Sequence, residues 1–171
     1  MKHYLIVVDM QNDFITGSLG SSAAQAIVPN VRRKIEEYVN KGNKVYFTQD
    51  THWENYLTTP EGINLPVPHC LYCSEGWRVP EELACLVPEE ENTYVIKNTF
   101  GRLDWDFLIA PDSIELVGVC TDICVVSNAL ILKATFPNAK IIVDASCCAG
   151  VTPEKHEAAL EVMRSCQIEV I

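Results

Sequence analysis

The stretch at residues 114–134, IELVGVCTDICVVSNALILKA, decides the fold. Its first half, with Ile114, Leu116, Val117 and Val119, is an apolar, β-branched run of strand length. After Thr121 and Asp122 the apolar residues Val125, Ala129, Leu130 and Leu132 recur at helical spacing. The reading is strand, tight turn, helix. Gly118 lets backbone pack closely, and Thr121 or Asp122 is placed to cap the new helix by accepting a hydrogen bond from a free N–H of its first turn. Cys124 then lies in or beside that turn, where unpaired N–H groups and the helix dipole favour an anion, so its thiol is a candidate thiolate. A free cysteine in an apolar run is as readily a small core residue, and this stretch alone leaves both readings open.

Outward from this unit, the chain alternates strands and helices. Residues 4–8 form a continuous apolar run ending at Asp9, the pattern of a strand buried on both faces. Residues 13–22, rich in Gly, Ser and Thr, read as a loop. The next helix is expected to have Pro29 near its first turn, an apolar face at Val31, Ile35, Tyr38 and Val39, and a stop at Gly42. Residues 44–48 are a second strand, ending just before Gln49 and Asp50. Residues 51–80 lack periodicity, and so long a loop in a compact domain is usually functional. A short helix at 81–86, a third strand at 93–96 ending at Lys97, and a helix at 105–110 follow. Residues 114–119, 140–143 and 168–171 give three more strands, the last two separated by a helix capped by Thr152 with Pro153 at its first position. Such βα alternation implies an α/β fold of three layers, α/β/α, with a mainly parallel six-stranded sheet.

Composition bounds what this architecture can do. With 171 residues, 48% of them apolar, one globular domain over residues 1–171 is expected. A net charge of −10 argues against nucleic acid and anionic membrane as partners, because phosphate contacts need clustered Lys and Arg. No window approaches 18 uninterrupted apolar residues and residues 1–10 lack the pattern of a secretory leader, so a cytoplasmic protein is expected. In that reducing compartment the eight cysteines read as free thiols. Cys70 and Cys73 form a CxxC, but no second CxxC lies at zinc-ribbon spacing.

In open α/β sheets ligands bind outside the carboxyl ends of the strands. Each polar insertion sits at such an end: Asp9 after the first strand, Asp50 and His52 after the second, Lys97 after the third, and residues 120–124 after the fourth. Four strands thus aim a carboxylate, a metal-type cluster, an ammonium and a thiol at one rim.

These residues match a known pattern. VVDMQNDF (7–14), TQDTHW (48–53), PHC (68–70), Lys97 after a strand and GVCTDICV (118–125) resemble the isochorismatase-like cysteine hydrolases, and within them the nicotinamidases. The resemblance spans essentially the whole chain. It implies a triad of Asp9, Lys97 and Cys124, with Asp9 as general base and then general acid, and Lys97 making both anions tolerable. It also implies an oxyanion hole from the backbone N–H groups of Cys120 and Cys124, with a cis peptide before Cys120. A divalent metal, zinc first, with iron or manganese as the other choices, would be held by Asp50, His52 and His69, with Glu61 as a fourth ligand. Phe14 and Phe100 would wall the substrate, which the histidines mark as nicotinamide. One departure is Pro66, where the family often carries a ring-stacking tryptophan.

The resemblance thus implies hydrolysis of nicotinamide to nicotinate and ammonia through a thioester, in NAD salvage, by a homo-oligomer whose partner is a small amide. A sibling cysteine hydrolase of another small amide, a carbamoyl or ureido compound, stands second. Isochorismate hydrolysis ranks lower, because enzymes named for it lack the nucleophilic cysteine. From another class, a non-catalytic zinc or redox-sensing module would show a Cys124 slow to alkylate and unprotected by small amides.

Overall fold

The computed structural model describes residues 1–88 and 94–171 and turns the apolar runs into one six-stranded sheet. Its elements are β1 (His3–Val8), α1 (Asn12–Ile15), α2 (Ser22–Asn40), β2 (Lys44–Asp50), α3 (Pro60–Asn64), α4 (Glu81–Ala84), β3 (Tyr94–Lys97), β4 (Ser113–Val119), α5 (Val126–Thr135), β5 (Lys140–Ala149), α6 (Pro153–Ser165) and β6 (Glu169–Val170). The strands lie in the order β3-β2-β1-β4-β5-β6, and every pair is parallel. β1 pairs with β2 on one side and with β4 on the other, so the winding reverses beside β1. A crevice opens at such a reversal, at the carboxyl ends of the strands.

Alternation along β1 explains the layers. Leu5 and Val7 point to a face covered by Ile27, Val31 and Ile35 of α2, whereas Tyr4, Ile6 and Val8 point to one covered by Leu132 of α5 and Leu160 and Met163 of α6. The sheet is buried on both faces, as the unbroken apolar runs require. Gly118 makes the centre possible. Its φ of +119° suits glycine, and a Cβ there would collide with the Val8 carbonyl oxygen.

Several expectations are corrected. Residues 105–110 are not helical: Trp105 is buried with its Nε1–H donating to the Arg102 carbonyl at 2.8 Å, and Ala110 takes a φ of +46° before Pro111. A residue preceding proline is disfavoured in the helical region, and the segment closes as turns instead. Ser21, accepting from the Ala24 N–H at 3.0 Å, starts α2 upstream of the expected point, so Pro29 falls inside the helix. Residues 13–15 of the expected loop belong to α1. The second strand runs on through Gln49 to Asp50 instead of stopping at Thr48, while the third ends at Lys97; of its expected residues, Thr93 lies outside the described residues. β5 runs on past Val143 to Ala149, taking Cys147 and Cys148 into the sheet. All eight cysteines are free thiols. Among the described residues, no helix is long and apolar enough to cross a membrane.

One polar cluster underlies α2. Lys34 Nζ lies 2.6 Å from Glu115 Oε1 and 2.9 Å from Asp144 Oδ2, and the Tyr38 hydroxyl donates to Glu115 Oε2 at 2.7 Å. Burial opposes the Asp144 charge, but hydrogen bonds from Lys34 and Ser146 and the Lys34 charge hold its pKa below the ordinary 3.8. A carboxyl depressed in this way adds stability that is present above the ordinary carboxylate range and lost as pH falls through the lower folded value. Lys34→Met, which leaves two carboxylates without their cation, is expected to destabilise the fold by about 2–3 kcal/mol at neutral pH. Urea denaturation across a pH series checks this, the gap to wild type narrowing as pH is lowered toward 3.8.

Candidate active site

At the carboxyl ends of β1, β2 and β4 three side chains meet around one ammonium carried by β3. Lys97 Nζ lies 2.7 Å from Asp9 Oδ2 and 3.5 Å from Cys124 Sγ, and a third neighbour, Asp50 Oδ1, stands 3.3 Å away. Register places them: Asp50 and Lys97 are paired residues at the ends of β2 and β3, so parallel strands project both side chains to the same side. Asp9 follows β1 with a φ of +49°, a left-handed turn that Asp tolerates better than most residues. Thr48 fixes its carboxylate, donating from Oγ1 to Asp9 Oδ1 at 2.6 Å and accepting from the Asp9 N–H at 3.1 Å.

Cys124 is carried differently from the expected capped helix. Residues Thr121–Val125 form a single π-turn before α5, in which the Cys120 carbonyl accepts from the N–H groups of both Ile123 and Val125. Neither Thr121 nor Asp122 caps it. The Thr121 hydroxyl is bonded to His156 Nδ1 at 2.8 Å, and Asp122 Oδ1 accepts from the Val151 N–H at 2.9 Å, so both side chains are used to tie the turn to α6 and its approach. The Val119–Cys120 peptide is cis.

Electrostatics then set the protonation pattern. Burial pushes the Cys124 thiol well above its ordinary value, with the Asp9 charge adding to the rise and Lys97 opposing it. The net direction favours the thiol form of the sulfur. Burial also raises the Asp9 carboxyl against the pull of Lys97. For Lys97 burial works the other way, but Asp9, Cys124 and Asp50 overcome it and hold the ammonium above the ordinary lysine value. The site therefore holds a weakly acidic thiol beside a carboxylate of raised basicity, which suits proton transfer during attack rather than beforehand.

The second constellation adjoins the first through Asp50. Its Oδ2 lies 2.9 Å from His52 Nε2 and 3.5 Å from His69 Nε2, while Glu61 Oε1 from α3 approaches the same two nitrogens at 3.6 and 3.9 Å. One ligand atom from each of the four residues lies within 4.8 Å of every other. His69 Nδ1 is bonded to the Val67 carbonyl at 2.8 Å, which orients the ring with Nε2 toward the cluster. Two carboxylates face two imidazoles, and the nearest cation, Lys97, is already shared with Asp9. This donor set fits a divalent metal. Burial works against the Asp50 charge, yet hydrogen bonds from His52 and His69 with the Lys97 ammonium hold its pKa well below the ordinary carboxylate value.

Both constellations open into one cavity of about 240 Å³, which Asp50, Glu61, His69, Cys120 and Cys124 line together with Phe14 and Phe100. Asp9 and Lys97 lie buried beneath it. Trp53 is exposed against Tyr72, and Trp77 donates to Thr51 Oγ1; neither faces the cavity, and Pro66 is exposed while its neighbour Leu65 supplies wall. Sequence reasoning gave no role to Gln11, Asp13, Thr48 or Asn128. Asn128, one turn beyond Cys124, donates to the Cys124 carbonyl at 2.8 Å and accepts from the Arg102 N–H at 2.9 Å, tying Cys124 to the segment that carries Phe100. Its position four residues past Cys124 was the available signal.

The isochorismatase domain family model matches residues 3–171. This chain belongs to the isochorismatase family. Within it, the nicotinamidase/pyrazinamidase of Mycobacterium tuberculosis is 28% identical, covering 98% of this chain and 97% of that protein. The crystal structure of the Bacillus subtilis nicotinamidase/pyrazinamidase superposes with a TM-score of 0.87 at 26% identity, over 99% of each chain. The pyrazinamidase of Pyrococcus horikoshii, solved in complex with zinc, gives 0.79 at 26% identity, over 100% of this chain and 99% of that one. The isochorismatase-family fold thus places this chain among amide hydrolases and beside a relative that holds zinc.

The four-donor cluster makes a direct expectation. Chelator-stripped protein should take up one divalent cation per chain in equilibrium dialysis, and His52→Ala combined with His69→Ala should abolish that uptake.

Proposed function

We propose that this isochorismatase-family protein is a metal-dependent nicotinamidase, converting nicotinamide to nicotinate and ammonia. The observation that carries the reading is the shared cavity: the Cys124 thiol and three of the four cluster residues, Asp50, Glu61 and His69, face the same space of about 240 Å³. A flat pyridine carboxamide can present its ring nitrogen to one and its amide carbon to the other. Phe14 and Phe100 flank that position and would pack on the ring.

In this reading Cys124 Sγ attacks the carboxamide carbon while Asp9 takes the thiol proton. The backbone N–H groups of Cys120 and Cys124 receive the developing oxyanion. As the C–N bond breaks, Asp9 returns the proton to the departing ammonia. Water then adds to the thioester with Asp9 again as base, and the C–S bond breaks to release nicotinate and restore the thiol. Lys97, fixed between the anions, compensates charge throughout. Asp50, His52, His69 and Glu61 would hold zinc, iron or manganese, and the cation when bound supplies a Lewis-acid contact for the pyridine nitrogen. The reaction would serve NAD salvage.

A second reading, hydrolysis of another small amide such as a carbamoyl or ureido compound, draws on one observation. Position 66, where the resemblance leads one to look for a stacking tryptophan, is an exposed proline.

Ammonia release from a panel of small amides distinguishes the two, with nicotinamide expected to be turned over fastest. Cys124→Ala should lower turnover by at least about a thousandfold, and Asp9→Ala or Lys97→Ala by about a hundredfold or more. Chelation should reduce the rate and added cation restore it. Ordinary turnover in the Cys124→Ala protein would overturn the assignment.

A further inference from the structure

The cation ligands do not share an element. Asp50 and His52 come from the end of β2 and just beyond it, whereas His69 arrives near the far end of the long loop. The two strips are joined directly, His52 N–H donating to the Cys70 carbonyl at 2.9 Å and Tyr72 N–H to the His52 carbonyl at 2.8 Å. The five residues after Asp9 grip both. Gln11, fully buried, accepts from the Asp50 N–H at 2.8 Å and donates from Nε2 to the Asp50 carbonyl at 2.9 Å. The same Nε2 donates to the Trp77 carbonyl at 2.8 Å. Two residues on, Asp13 Oδ2 accepts from the N–H of Cys70, the residue next to His69, at 2.7 Å. Its Oδ1 accepts from the Ser18 N–H at 3.3 Å.

We propose that Gln11 and Asp13 are positioning residues for the cation, holding the Asp50–His52 strip and the His69 strip at the separation at which their donors converge. Neither side chain points a ligand atom at the cluster. Each acts on the backbone of a ligand or of its neighbour, a site where lost hydrogen bonds loosen the first coordination sphere without removing a donor. Gln11 satisfies both polar groups of the Asp50 peptide backbone at a strand end, where no further strand residue could. Asp13 supplies an anionic acceptor to the backbone two residues before the Tyr72 N–H joins His52, and so fixes the approach of the loop.

The inference rests on the reading that Asp50, His52, Glu61 and His69 hold a divalent cation, and one experiment separates the two. Zn2+ is titrated into chelator-stripped protein against a competing chelator, for wild type and for Gln11→Met, Asp13→Ala, Asp13→Asn and the neighbouring control Asn12→Ala, with the thermal midpoint of each apo protein recorded. Gln11→Met and Asp13→Ala are expected to weaken Zn2+ binding by 10- to 100-fold. Asp13→Asn, which keeps a carbonyl oxygen for the Cys70 N–H, should recover most of the loss. Asn12→Ala removes only side-chain bonds to the exposed Glu75, at its carbonyl and its carboxylate, and should leave affinity within twofold. A merely structural role would lower the thermal midpoints while leaving affinity alone. Zn2+ binding within twofold of wild type in Gln11→Met and Asp13→Ala would overturn the proposal while the cation site stands; no binding by wild type would overturn the cation site and the proposal with it. If Gln11→Met does not fold, the comparison of Asp13→Ala with Asp13→Asn decides: equal affinities overturn it, and a recovery of tenfold supports it.

Discussion

A single buried ammonium holds the centre of this molecule together. Lys97 is 3% exposed and touches two carboxylates and a thiol, each from a different strand end. Removing any ion from water is costly, and burial is repaid only where partners and hydrogen bonds surround it closely. Here Asp9 is held by Thr48, and Asp50 is held by imidazoles as well as by Lys97. The constraint reaches back into the sheet. Lys97 is in register with Asp50, and a slip of one residue in β3 would turn the ammonium to the opposite face, leaving both carboxylates without their cation. The pairing of the edge strand β3 with β2 therefore has its register specified by charge as much as by apolar contact.

The same economy explains why β4 must lie so near β1. Asp9 and the turn bearing Cys124 belong to neighbouring strands, and they share one cavity floor only if the strands approach without side-chain interference at their ends. Gly118, paired with Val8, supplies that approach, since any Cβ there would meet the Val8 carbonyl. Beyond it the chain passes through the π-turn, which carries one more residue per turn than an ordinary helix start. Such turns recur at functional sites because they re-aim a side chain without breaking the helix that follows. Thr121 and Asp122 are then unavailable as caps, being committed to His156 and Val151.

What could be read from the sequence was what is local. Apolar runs that stop at Asp9, Asp50 and Lys97 announce strand ends, and strand ends of an open parallel sheet face the crevice, so the residues with chemistry in them could be named from position alone. The supports could not. Gln11 meets its partner 39 residues away and Asp13 meets Cys70 across 57, distances over which neither spacing nor periodicity carries information. Thr48 stood inside a quoted motif, yet its hydroxyl bond to Asp9 follows from the pairing of β1 with β2 rather than from its neighbours. Local pattern misled where a tertiary partner was stronger: Trp105 exchanges helical geometry for a buried turn, and Ser21 outcompetes Pro29 as the start of α2. The two readings left open for Cys124, candidate thiolate or small core residue, could not be separated for the same reason, because its 6% exposure belongs to the packed structure and not to the turn.

Asp50 is where the two halves of the site become one. Its Oδ1 faces Lys97 and the nucleophile side, and its Oδ2 faces His52 and His69. A carboxylate can serve both because its charge is delocalised over two oxygens pointing in different directions. Lys97 Nζ joins the two halves, 3.3 Å from Asp50 Oδ1 and 2.7 Å from Asp9 Oδ2, so a charge placed at the cluster would act on Asp9 through two short contacts. Separate hydrogen-bonded frames hold each half, Gln11 at the Asp50 backbone, Asp13 at the Cys70 N–H and Asn128 at the Cys124 carbonyl. A substrate seated between the halves would meet a nucleophile whose proton affinity is set partly by whatever occupies the cluster at its other end.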